Sequence, residues 1–277
     1  MHAIQPAILL ALLGILAFQC HDNPPPGNKT LPKGSDKPAF NLTSKIDLDT
    51  LLRQFDPEEV HIRYDVEVGR EKTYSGVNTR KIFSFLVREF QIDSTGYDVT
   101  FFCKDGYSPS VSLLQLLEGN GYIVTKDLQA KDGWDEEIKS KFSPAYLVWD
   151  IPENDHRHAF PYGVVQIQFV EKSMEYALAK PNTTAKEPLE GFAIFRDKCI
   201  KCHTINGDGG VMGPELNFPK SITEYWQPGQ IKLFIKNPAS FRLNSKMPPV
   251  TGLSDAQIDR VVRYLQYMAG QKTAKHE

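Results

Sequence analysis

Apolar and polar residues alternate over Val60, Ile62, Tyr64, Val66 and Val68, with His61, Arg63, Asp65 and Glu67 between them. A period of two places one side-chain set on one face, so a half-buried strand is predicted over 60–68. Val99, Phe101 and Cys103 repeat the alternation, and 146–149 and 165–169 read as two more strands. Between the first two strands the period changes, because Ile82, Phe83, Leu86 and Phe90 share one helical face over 79–90. Strands mixed with helix predict an α+β domain over 46–176. The run from Pro181 to Pro188 offers one alanine to a core and reads as a polar connection, so 177–187 is assigned as a linker. Ser254-Asp255-Ala256-Gln257 has the form of a capping box, and Ile258, Val261, Val262, Leu265 and Met268 follow as a stripe that belongs to a core.

At the other end, Ala7 to Phe18 is apolar for about a dozen residues, too short to span a bilayer as a helix. It reads as an export signal over 1–19. Cys20 follows directly, and Pro24-Pro25-Pro26 and its polar neighbours open a flexible tether over 20–45. Removing signal and tether from 277 residues leaves about 230 to fold, enough for two units.

The net charge of -2 hides an asymmetry. Residues 188–277 carry 12 Lys and Arg against 8 Asp and Glu, and the preceding residues carry 20 against 26. Lys198, Lys201 and Lys246 read as an ordinary solvated face, with steering of an acidic redox partner as the alternative. A charge this balanced gives nucleic-acid binding no support.

The chemistry concentrates in Cys199-Ile200-Lys201-Cys202-His203. C-x-x-C-H is the spacing at which two thiols capture the vinyl groups of one haem, and the adjacent histidine then becomes the proximal iron ligand. Zinc is the alternative, but it needs four ligands, and apart from Cys20 at the tether only Cys103 and scattered histidines remain to complete a tetrahedron. For the sixth ligand the proline-stiffened stretch Asn244-Ser245-Lys246-Met247-Pro248-Pro249 supplies Met247, whose thioether would favour reduced iron and close the site to substrate. Met212 competes, although its loop leaves little chain to pass around the ring edge. His156-Arg157-His158 reads as an exposed polar turn without a third metal ligand.

Residues 188–270 together resemble a class I cytochrome c. The resemblance implies an all-α domain over 188–277 with one covalent haem c, held by Cys199 and Cys202 and ligated by His203 and Met247. It places Gly191 where the first helix packs closely on the last, beside Phe192 and Phe195. It further implies that the Pro214 carbonyl accepts the proton of the proximal imidazole, and that Asn237-Pro238 stops the middle helix. The N-terminus resembles that of a bacterial lipoprotein, which implies lipidation at Cys20 and a place in the periplasm or cell envelope. Here Gln19 stands where that family prefers a small residue, and no Lys or Arg precedes the apolar run.

Phe102-Cys103-Lys104-Asp105-Gly106-Tyr107, with Pro161-Tyr162-Gly163-Val164, resembles part of the molybdopterin-binding domain of sulfite-oxidase-like enzymes, in truncated form. Two function classes result. One is a membrane-tethered carrier of single electrons between redox partner proteins, its middle domain serving for docking or spacing. The other is a molybdenum-dependent oxidoreductase of a small anion with a fused haem acceptor, in which Cys103 would be the metal ligand. A buried strand cysteine is the simpler account of Cys103, and electron transfer is favoured over catalysis. A gas-sensing haem, which needs a labile Met247 bond, is a third idea.

Overall fold

Strand β2 (Glu58–Asp65) forms where the alternation predicts, with Val60 and Ile62 buried and His61 and Arg63 exposed, but it ends earlier than expected, at Asp65. The reason is the aspartate. Its carboxylate accepts from the Glu67 and Val68 amides at 2.9 and 3.1 Å and from the Tyr74 and Tyr146 hydroxyls at 2.7 and 3.2 Å. A carboxylate with four donors is cheaper to bury than one left unpaired. The pairing register therefore shifts between Ile62 and Asp65, the chain turns, and Val66, placed on the buried face by the alternation, is 37% exposed. Burial first, then the Asp65 charge, raises the Tyr74 hydroxyl above its ordinary range.

The computed structural model describes residues 44–131, 134, 141–152 and 158–273. The export signal, Cys20, most of the tether, His156 and Arg157 lie outside the described residues. Among the described residues, two four-stranded antiparallel sheets run through the first region. One has the order β2, β3 (Arg70–Asn78), β6 (Gly121–Asp127), β7 (Tyr146–Trp149), and the other β1 (Ile46–Asp47), β8 (Val164–Glu171), β4 (Tyr97–Cys103), β5 (Ser110–Ser112). Helix α2 (Thr79–Phe90) lies between the short helices α1 (Leu48–Leu52) and α3 (Leu113–Leu116) in the chain. It starts at Asn78, whose side chain accepts the Arg80 amide, and buries Ile82, Phe83 and Leu86. Phe83 meets Phe101 and Phe169 of the second sheet edge-on at 6.3 and 6.2 Å, so both sheets and the helix share a core. The opposite face of the first sheet carries Tyr74, Trp134, Phe142 and Tyr146 in a second cluster.

The helical region has its own core. Ala179 and Pro181 are buried, Ala179 within that core, and the Tyr264 hydroxyl donates to the Ala179 carbonyl at 2.7 Å. Helix α4 (Lys186–Lys198) accommodates Pro188 in its first turn, where no intrahelical donor is lost. A Cβ on Gly191 would stand 2.3 Å from the Arg260 carbonyl oxygen and 2.7 Å from the Tyr264 Cβ, so α4 crosses α6 (Asp255–Ala269) with backbone nearly touching. The expected capping box forms at Ser254 and Gln257, and α5 (Pro228–Lys236) stops at Asn237 ahead of Pro238. A β-rich region thus precedes a helical one. Among the described residues no helix is long and apolar enough to cross a membrane.

Candidate haem site

Cys199 caps the C-terminus of α4, and the chain turns tightly after it: the amides of Cys202 and His203 both donate to the Cys199 carbonyl, at 3.1 and 3.0 Å. This turn presents both thiols from one short stretch. Neither is in a disulfide. Burial pushes the Cys199 thiol up to about 12 and raises Cys202 as well, so both are protonated thiols in an apolar setting at neutral pH.

His203 Nδ1 lies 2.9 Å from the Pro214 carbonyl oxygen. A carbonyl can only accept, so Nδ1 carries the proton and Nε2 keeps its lone pair for a metal. Burial holds the imidazole pKa below its ordinary value, against the opposing effects of Pro214 and Glu215, which preserves that neutral form. The expected partnership of His203 with Pro214 is present.

The loop that supplies this carbonyl is shaped by contacts to the motif. Gly210 and Gly213 donate their amides to the carbonyls of Ile200 and Cys202, at 2.8 and 2.7 Å. A Cβ on Gly213 would fall 2.4 Å from His203 Cε1, so the backbone lies flat against the imidazole ring. The Glu215 carboxylate fixes the rest, accepting from the amides of Asn206, Gly207, Asn217 and Phe218 at 2.8 to 3.2 Å. Asn217 is fully buried and donates to Asn206 Oδ1 and to the Met268 carbonyl, both at 2.8 Å. Asn206 in turn donates to the carbonyls of Leu178 and Gln271, at 3.1 and 2.8 Å. Glu215, Asn206 and Asn217 escape the sequence reading because their work is backbone capping, which leaves no periodicity. The one available signal was a carboxylate directly after Gly213-Pro214.

Met247 follows Asn244, which adopts a left-handed φ of 63°, and is half-buried against the helical core. Met212 is 38% exposed, on the loop whose Gly213 lies against the histidine ring. Cys103, at the end of β4, is 7% exposed, and burial pushes its thiol up to about 12. The His158 ring packs on Trp149 at a centroid distance of 4.7 Å.

These residues fit a covalent haem. Among the described residues no three His, Cys, Asp or Glu side chains gather as ligands of an ion, so Cys199, Cys202 and His203 are not arranged as a zinc site. The helical region also leaves Phe218, Tyr225, Phe241 and Leu243 exposed. Residues 189–269 match the family model for cytochrome c. No curated protein matches the chain. Residues 189–269 are therefore a cytochrome c domain, which implies covalently attached haem c and supports a haem-based electron-transfer role.

Proposed function

We propose that this protein is an exported monohaem electron carrier, tethered to a membrane through Cys20, with His203 and Met247 as the axial ligands and the β-rich region as a noncatalytic docking module. The observation that carries the reading is the His203 imidazole, fixed as the Nδ1–H tautomer by Pro214 and leaving Nε2 as the donor atom. Bound haem supplies one reversible electron. The protein's own work is to hold the ring, set its ligands and keep water away. Cys199 and Cys202 would hold it as thioethers. Support for Met247 over Met212 comes from the loop that carries Met212, which is hydrogen-bonded to the motif carbonyls and stacked on the histidine ring, on the proximal side. The tether rests on the apolar run and the cysteine after it.

Met247→Ala tests the ligation. The variant should lose the methionine-to-iron absorption of the oxidised protein, and its reduction potential should fall by on the order of 0.1 V, because a thioether favours reduced iron. An unchanged spectrum would transfer the role to another side chain.

A further inference from the structure

The Asp105-Gly106-Tyr107 turn of the β-rich region reaches the haem motif itself. The Ser108 amide donates to the Lys201 carbonyl at 2.9 Å, and the Val211 amide donates to the Gly106 carbonyl at 2.9 Å. Lys201 directly precedes the second haem-binding cysteine, and Val211 lies on the loop that covers the proximal imidazole. The turn is thus clamped at two points, one on the haem-binding motif and one on the loop that lies against the imidazole.

The fit leaves no slack. Gly106 has a φ of +90°, and a Cβ there would stand 2.7 Å from the Met212 nitrogen and 2.8 Å from the Val211 carbonyl carbon. Only glycine takes this conformation without strain and also tolerates the approach. The Asp105 carboxylate accepts the Tyr107 amide at 3.0 Å and closes the turn on itself. Ser108 is 6% exposed. Away from the turn, the Ser110 and Tyr176 hydroxyls meet at 3.2 Å, where the two regions join.

We propose that this turn is a permanent wall of the haem pocket, built from the β-rich region, which shuts the Cys202 side of the ring to water and to redox partners. Partners must then exchange electrons over the remaining edge of the haem, so the β-rich region decides the docking direction. This inference deepens the electron-carrier reading and rests on it. A wrong axial ligand would show in the Met247→Ala spectrum and leave the measurements below untouched.

The test uses the full-length haem-loaded protein. Reduced protein is mixed with ferricyanide or with the tris(phenanthroline) complex of cobalt(III), each of which takes one electron from ferrous haem with no proton moved. In Gly106→Val the side chain forces the turn off the loop, which amide exchange at Ser108 and Val211 reports. Oxidation should become several-fold faster with both probes, since opposite charges respond alike to uncovering, and the potential should fall as water reaches the ring. Lost protection of both amides with unchanged rates and potential would overturn the wall. If Gly106→Val does not fold, Tyr107→Ala and Tyr107→Phe decide. The alanine variant should speed both probes and the phenylalanine variant should match wild type, whereas wild-type rates in both would overturn the proposal.

Discussion

The Glu215 carboxylate serves four backbone amides at once, and through them it places the Pro214 carbonyl against His203. Glu215→Ala leaves those donors without their acceptor and should cost about 2 to 3 kcal/mol in denaturant unfolding. Glu215→Gln retains an oxygen for part of the set and should fall between. The C-x-x-C-H motif and Pro214 were legible in the sequence because covalent attachment and tautomer control demand particular residues at particular spacings. Glu215 was not, since any acceptor reaching those amides would serve. Cys103 gives a second expectation. Burial raises its thiol from 9.0 to about 12, so the folded state holds the proton more tightly than the unfolded chain. The associated stability is present in full below pH 9 and is lost as pH rises towards 12. Cys103→Val should therefore show a shallower loss of unfolding free energy between those limits than wild type. The haem cysteines do not disturb the comparison, because thioethers do not titrate there.

Elements whose apolar pattern faces one core were readable, and those organised by buried charge were not. Helix α2 occupies the predicted residues, as do β7 and the stripe on α6. Strand β3 has a polar start, Arg70-Glu71-Lys72-Thr73, and gives no alternating signal. Lys72 is nonetheless 1% exposed, paired with the buried Asp127 of β6, an arrangement that a hydropathy reading counts as surface. Asp65 defeats the pattern in the same way, by drawing hydroxyls and amides inward where a polar residue was expected to face solvent. The crossing of α4 and α6 was anticipated at Gly191 only through the family resemblance. There Gly191→Ala should cost about 1 to 3 kcal/mol in thermal or denaturant unfolding, because the methyl group meets the Arg260 carbonyl and must force the helices apart.

For the molecule as a whole, the electron-carrier reading makes a compositional statement. Protein matured in a host that supplies both cofactors should contain one iron per chain and no molybdenum, and should fractionate with membranes. Cys20→Ser should release it into the soluble fraction with its absorption spectrum unchanged. Stoichiometric molybdenum would instead make the β-rich region a catalyst. Its buried Cys103 thiol would then have to change environment to reach a metal.

The family pattern covers 189–269, but the fold is fastened beyond both of those limits. On one side Ala179 fills the helical core and Leu178 accepts from Asn206. On the other, the Gln271 carbonyl accepts from Asn206, and its side chain accepts the Asn182 amide at 3.1 Å. A polypeptide trimmed to the matched residues would keep every haem-binding group and lose the straps that hold their loop. Anyone excising this cytochrome should therefore cut before Ala177 and after Thr273, and a purification tag placed directly after Ala269 would displace the lock on the haem loop.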